Sequence, residues 1–554
     1  MCAWAHSFCQ SSQAIFTLGD MAFQEEDWNA ARKDFEQYLT FGTDQVAADD
    51  AMLKLGLAQL RSDELDDALA TFETMLATFD DSTHRAQAMF ERGQALVLLD
   101  RDEDAEAGFE ALLREHPQTS FTAHALNHLG TIAQSAGRFD DAAQYFERVA
   151  AADPSLSIVP ETMFQRGQAL LASRRHADAE EAFSVLLTSY PDSARAASAA
   201  ALRAIATARQ DEHERALTMI ADVERDGLND LDDTLRASML YEKAWCQRNR
   251  EDDTAAEMTY QDVIAISNGG PLRLHSMLEL AELQAEDERY GTAQQQLETL
   301  LTSLDGNDDA PADLRRQAMY RLGVCEFRLE AFEDASKRFE AYLARYPDSD
   351  VEASARLLCG ESHYKQGRHE QAIEHLTVVT TSHAKSDAYG PALLRLGESQ
   401  AVLQYWSQSE ESYRAFMAHA PESPQWFQAQ FGIGWALDNR GEHDAAIEAY
   451  QPVVYNHRGP TAARAQFQIG ECLFALERYD EAVRELVKVD ILYGYPEWSA
   501  AALYEAGRCF QAMNDPVRAR QQYEQVRTDH EGTDWARLAS ERLEELSRTT
   551  LPGR

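Results

Sequence analysis

The residues of this chain best suited to chemistry are a few histidines, a cysteine–histidine pair, two tryptophans and a small group of cations. His369-Glu370 and His375 share letters with the H-E-x-x-H zinc motif. That motif works because two imidazoles one turn apart face one ion. Here four residues separate Glu370 from His375, so one turn of helix does not present both rings to a metal. Cys359 and His363, four apart, have the spacing of a ligand pair. There is no phosphate-binding glycine loop, no G-x-S-x-G and no C-x-x-C. The expectation is a chain with no catalytic residue, no cofactor site and no metal site. Its chemistry is then recognition, for which Trp245 and Trp435 stand out beside carboxylates. So do Arg321, Arg328, Lys365 and Arg395, with Arg356 as an extension, in an otherwise acidic chain.

These residues are placed by a repeat. Gly19, Gly56, Gly93, Gly130 and Gly167 follow one another at intervals of 37, and Ala204 holds the next place. Ala244, Ala281, Gly323, Gly360, Gly397, Gly434, Gly470 and Gly507 continue the series. Twelve residues after each anchor comes an alanine, as at Ala31, Ala142 and Ala335, with Ser409 the one departure. Four further on lies a large apolar residue such as Phe35, Phe146 or Tyr413. The apolar residues on either side recur at helical spacing, and Pro117, Pro154, Pro191, Pro347 and Pro421 end second helices. Each unit therefore reads as two short amphipathic helices. Small residues let the two approach, and the large residue fills the gap between hairpins. Glycine inside a helix costs about 0.5–1 kcal/mol relative to alanine, a cost that close packing must offset.

This grid resembles the tetratricopeptide repeat (TPR) family over nearly the whole chain. The aromatic that opens the second helix is Trp28, Phe139, Tyr290, Phe332, Trp406 or Tyr479, and His176, His213, His369 and His443 take its place elsewhere. The long period and the Tyr-Pro-Asp-Ser turns at 190–193 and 346–349 are similar to bacterial envelope members, such as the Tol-Pal-associated coordinator and the outer-membrane assembly lipoprotein. The resemblance implies an all-α solenoid, a right-handed superhelix of about fourteen helix-turn-helix repeats with a C-terminal capping helix. It also implies a concave groove lined by first helices. Trp245 and Trp435 fall at groove phases with Asp20, Glu282, Glu361, Glu398 and Glu471, and the four cations come from repeats nine to eleven. Those cations either hold an acidic segment or neutralise Glu361 and Glu398. Cys359 and His363 fall at phases where the family buries its core. The lysine–asparagine clamp with which some members hold a chaperone's C-terminal carboxylate is absent. Phe90, Phe164, Tyr320, Phe431 and Phe467 stand at its lysine position.

The expected layout is an N-terminal edge at 1–12, open to truncation, then repeats one to eight over 13–304. An acidic inter-repeat loop follows at 305–312, then repeats nine to fourteen over 313–532, a capping helix at 533–548 and a tail at 549–554. The period lengthens between Ala204 and Ala244 and again between Ala281 and Gly323, which marks either surface insertions or a hinge. Cys246, Cys325, Cys472 and Cys509 stand two residues after their anchors, where other repeats carry Ala58, Ala95 or Ala436. They read as reduced thiols in small slots. Neighbouring helices pack about 10 Å apart, beyond the roughly 7 Å between Cα atoms that a disulfide spans.

A formal net charge of -43 over 554 residues argues against nucleic acid and against an anionic membrane surface. No apolar run is long enough to span a bilayer, and no basic start with an apolar stretch opens the chain. The expected function is a non-enzymatic scaffold that binds protein or peptide partners. By resemblance it belongs to a cell-envelope complex in the periplasm if the N-terminus is truncated, and to the cytoplasm otherwise. The alternatives are an assembly or regulatory protein that forms homo-oligomers through its end repeats, and an accessory module of an enzyme.

Overall fold

The structure, a computed structural model, describes residues 2–43, 46–305 and 311–549, with side chains from residue 12 onward except those of 312 and 549. Residues 306–310 of the acidic loop and 550–554 of the tail lie outside the described residues. Among the described residues the chain is all α: 29 α-helices and one 3-10 turn, Leu228–Asp230, with no strand. Within each unit successive helices pair into hairpins, and the last helix, Asp534–Thr549, follows the final hairpin alone. The chain divides into two compact units, Met1–Ser276 and Met277–Arg554.

In the first unit the template hairpin is Val159–Ala172 with His176–Ser189. Its crossing explains the glycine. A Cβ on Gly167 would lie 2.4 Å from Cε1 of Phe183, whose side chain is fully buried. The same ring-on-glycine contact recurs at Gly56 with Phe72, Gly93 with Phe109 and Gly130 with Phe146. The large residue thus sits on the glycine of its own repeat, inside the hairpin, rather than only between hairpins as its spacing suggests. Adjacent hairpins are tied by polar contacts one repeat apart. Arg195 grips Glu161 at 2.7 and 3.0 Å, and Tyr190 Oη donates to the Pro154 carbonyl at 3.3 Å. The acidic insertion after Asp226 forms the 3-10 turn. It then caps the next helix, where Asp232 accepts from the Leu235 amide at 2.8 Å.

The second unit repeats the crossing with Gly323 and Phe339, Gly434 and Tyr450, and Gly507 and Tyr523, and with leucine at Gly360–Leu376 and Gly470–Leu486. Tyr413 is held from both sides. Cβ atoms built on Gly397 and on Gly432 of the next repeat would lie 2.8 and 2.2 Å from its ring. Ser409, the departure from the alanine series, donates its buried hydroxyl to the Gly397 carbonyl at 2.8 Å. Leu543 and Leu546 of the final helix pack with Tyr504, Phe510 and Tyr523 and cover the last hairpin.

Each hairpin turns on one left-handed residue, seven after the anchor. Asp63, Asp100, Arg174 and Asp211 have φ between 54° and 63°, and glycine takes this place only at Gly137, Gly367 and Gly441. The bonds around Arg174 close a Schellman motif: its amide donates to the Leu171 carbonyl at 3.0 Å, and the Arg175 amide donates to Leu170 at 2.9 Å. A Cβ in this conformation costs about 1–2 kcal/mol, partly offset by the greater chain entropy of glycine. Arg174→Gly is therefore expected to stabilise the protein by about 0.5–1 kcal/mol, seen as a higher urea midpoint.

Candidate functional site

Three successive first helices, Trp426–Asn439, Pro460–Ala475 and Pro496–Ala512, build a pocket in the second unit. Phe431 and Trp435, one turn apart on the first of these helices, stack at 6.3 Å with 15° between their planes. Arg464 reaches across from the second helix. Its Cζ lies 4.7 Å from the Phe431 ring, 4.9 Å from Trp435 and 5.9 Å from Trp498 on the third. These groups, with Tyr364, Glu398, Tyr413, Gln428 and Thr461, enclose about 530 Å³. The rings hold the guanidinium by their negative faces.

What Arg464 lacks is an anion. Among the described residues no carboxylate lies within ion-pair distance of it, and burial pulls its pKa down from the ordinary arginine value. Arginine keeps its proton even so, which leaves a partly desolvated positive charge facing a cavity.

The residues singled out by sequence are differently placed. Trp435 lines this pocket. Trp245 lies in the first unit, 38% exposed, and its carbonyl accepts from Asn249 Nδ2 at 2.9 Å. Arg321 is paired with Glu282, and with Arg328 it lines a separate cavity of about 290 Å³. Arg395 is paired with Glu398 and lies 3.5 Å from Glu361, with its guanidinium 4.3 Å from the Tyr364 ring. Arg356 bonds Glu352 at 2.7 Å. Arg321 and Arg395 are thus neutralised by the chain's own carboxylates, while Lys365 and Arg328 are exposed. Among the cysteines whose side chains are described, Cys246, Cys325, Cys359, Cys472 and Cys509 are free and buried, and burial pushes the Cys325 thiol up to about 11. His369 packs edge-on against Tyr364 at 5.3 Å, and His443 Nδ1 is 2.9 Å from Asp438.

Arg464 went unnoticed in the sequence. The signal was there: six residues before an anchor, other repeats carry Gln87, Glu161, Ser238, Gln317 or Gln428, and only this one carries a cation.

Hairpins with a small-residue crossing, stacked on their neighbours and closed by a C-terminal helix, define an all-α helical-repeat protein. The tetratricopeptide repeat pattern matches residues 127–194, 278–350, 330–387 and 431–489, and a second pattern of the same description matches 501–533. The chain carries tetratricopeptide repeats. Proteins built from them generally mediate protein–protein interactions and are generally non-catalytic scaffolds. An outer membrane lipoprotein family matches residues 9–148. No curated protein matches the sequence. Among solved structures, the chain is similar to that of Naa15/Naa10 bound to HypK-THB, with 13% identity, 98% of this chain and 97% of that chain covered, and a TM-score of 0.34. It is also similar to the Cut9-Hcn1 hetero-tetramer of the APC/C, with 16% identity, 97% and 96% coverage, and a TM-score of 0.29. A third is a tetratricopeptide repeat protein from Parabacteroides merdae, with 14% identity, 48% and 97% coverage, and a TM-score of 0.32. Among the described residues no helix is long and apolar enough to cross a membrane.

Proposed function

We propose that the protein is a non-enzymatic scaffold whose second unit captures a peptide carrying an acidic group next to an aromatic or large apolar side chain. The observation that supports this is Arg464: a cation without a carboxylate partner, held between aromatic rings at the edge of a 530 Å³ cavity. A bound carboxylate supplies the missing charge in a site where water is partly excluded, and the neighbouring rings cover its apolar side chain. The outer membrane lipoprotein match over 9–148 supports a place in a bacterial cell-envelope complex.

The test is selection from a displayed peptide library, followed by titration of the enriched peptides. Acidic-aromatic peptides are expected to dominate, and Arg464→Ala or Trp435→Ala is expected to weaken them by about tenfold to a hundredfold, as central interface residues do. Trp245→Ala, in the other unit, is expected to change nothing. Enrichment of basic peptides, or affinities unaltered by Arg464→Ala, would refute the reading.

A further inference from the structure

A second cluster in the same unit lies away from the aromatic pocket. Cys359 and His363 share the helix Glu352–Lys365, His375 comes from the following helix His369–Ser382, and Glu340 from the preceding helix Phe332–Arg345. One donor atom of each, a thiol, two imidazole nitrogens and a carboxylate oxygen, lies within 4.8 Å of all the others. Cys359 is fully buried, His363 is 3% exposed, and Glu340 reaches solvent.

The repeat itself shows that this cluster is unusual. Positions three and fifteen after the anchor face each other across the hairpin crossing. In four other repeats they form a complementary donor–acceptor pair: Thr71 to Gln59 at 2.7 Å, Thr259 to Gln247 at 2.8 Å, Ser412 to Gln400 at 2.8 Å and Arg338 to Glu326 at 3.1 Å. In others, such as Leu170 with Ala182, they are apolar. In the Gly360 repeat those two positions are His363 and His375. Their rings lie parallel, 5.6 Å apart and 13° from coplanar, with no hydrogen bond between them. His363 Nε2 lies 3.0 Å from Glu340, yet Nδ1 of His363 and Nδ1 of His375 are both buried without any partner. A buried unpaired nitrogen costs about 1–3 kcal/mol. Single ones occur at His176 and His213 as well, and what sets this crossing apart is that two imidazoles stand there together beside a thiol and a carboxylate.

We infer that Glu340, Cys359, His363 and His375 form a zinc site that pins the Gly323 repeat to the Gly360 repeat. A thiolate, two neutral imidazoles and a carboxylate make a four-coordinate set of the kind Zn²⁺ takes, with no position left for substrate. Zinc bonds of about 2.0–2.3 Å place tetrahedral donors roughly 3.3–3.8 Å apart, so the four side chains close in by about 1 Å on binding. The thiol proton leaves as the zinc–sulfur bond forms, and the exposed Glu340 side is the route of entry. The role is structural. It ties three helices to one another through a single ion, adding metal bonds to the hydrogen bond that His363 already shares with Glu340.

The test uses the full chain, purified untagged and stripped with a chelator. Zn²⁺ titration followed by calorimetry is expected to show tight binding with one proton or more released. Co²⁺ is expected to give the near-ultraviolet charge-transfer band of a thiolate-bound, tetrahedral ion. Cys359→Ser is expected to abolish that band, and His375→Gln, at a less buried position, to weaken zinc by about a hundredfold with the helical circular dichroism unchanged. Cys472→Ser is the control, because Asp438, His443 and Cys472 also lie within 4.8 Å of one another but supply only three donors. Absence of a thiolate band in the wild type, binding that survives both Cys359→Ser and His375→Gln, or binding lost only in Cys472→Ser would each overturn the assignment.

Discussion

Phe146→Ala is expected to cost about 3–5 kcal/mol and to lower the melting temperature of the first unit more than any surface change. Phe146 is 1% exposed and rests on the bare backbone of Gly130, where an added Cβ would lie 2.4 Å from its Cε1. It also belongs to a cluster with Phe164, Ala169, Phe183 and Leu186 of the next hairpin. Removing the ring therefore opens a cavity at the crossing of one hairpin and at its contact with the next. The crossing is too short of space to collapse further, because two backbones already define its floor, so little of the loss is recovered by relaxation. Gly130→Ala attacks the same contact from the other side. It is expected to cost about 1–3 kcal/mol by overpacking, and urea denaturation of both variants measures the pair. A loss below about 1 kcal/mol for Phe146→Ala would mean that the ring does not set the crossing.

The second large effect is a stability that falls as pH rises, traced to one buried and one half-buried carboxylate. Glu471 and Glu505 come from adjacent first helices of the second unit, and Glu505 is 4% exposed. Burial first, and the neighbouring Glu505 charge second, push the Glu471 carboxyl up to about 8. Burial also raises Glu505, although Arg508 bonds it at 2.7 Å and opposes the rise. Glu471 Oε1 is buried without a partner. Because the folded pKa lies above the unfolded one, the sign is set. Below about pH 4.5 both states hold the proton and there is no penalty. Above it the unfolded chain ionises freely while the folded one must keep the proton or bury a second charge. Stability is therefore lost progressively up to about pH 8 and levels off beyond. Glu471→Gln removes the titration. At pH 8.5 it is expected to stabilise the protein by on the order of 3 kcal/mol, with almost no effect at pH 4.5. Melting curves across this range check it, with exposed Glu497→Gln as a control for the general effect of net charge. Equal gains from both substitutions would assign the slope to net charge instead.

The fold was largely readable because its determinants are local and periodic. Gly167, Ala179 and Phe183 stand at fixed offsets, and the offsets alone describe a hairpin with a close crossing. The left-handed turn residue was harder to see, because arginine, aspartate and glutamate fill a place that glycine marks only at Gly137, Gly367 and Gly441. Sites were less legible. Trp435 was visible by type, but Arg464 and Trp498 join it from later repeats, and a register error of one residue in either helix would turn them away. Cys359 and His363 were visible as a pair and read as core. The reading changes only when His375 arrives across the hairpin and Glu340 from the repeat before, which is a property of the stack rather than of one helix. For the cations the sequence left two readings open, an acidic partner or the chain's own carboxylates, and Arg321 and Arg395 are paired with Glu282 and Glu398. Charge counts cannot show which carboxylate a given arginine will meet.

The ring-on-glycine crossing has a mechanical side. In most repeats the large side chain sits on the glycine of its own hairpin, so most of the tight packing is closed within about 37 residues. Otherwise helices pack mainly on the next helix along the chain, and many first helices also on the next first helix. Under tension, either unit yields as a series of links rather than as one body. A hairpin keeps its crossing until it is peeled from its neighbour, and its release then pays out about 12 nm of chain. Such a molecule lengthens under load in steps while the hairpins not yet released keep their crossings.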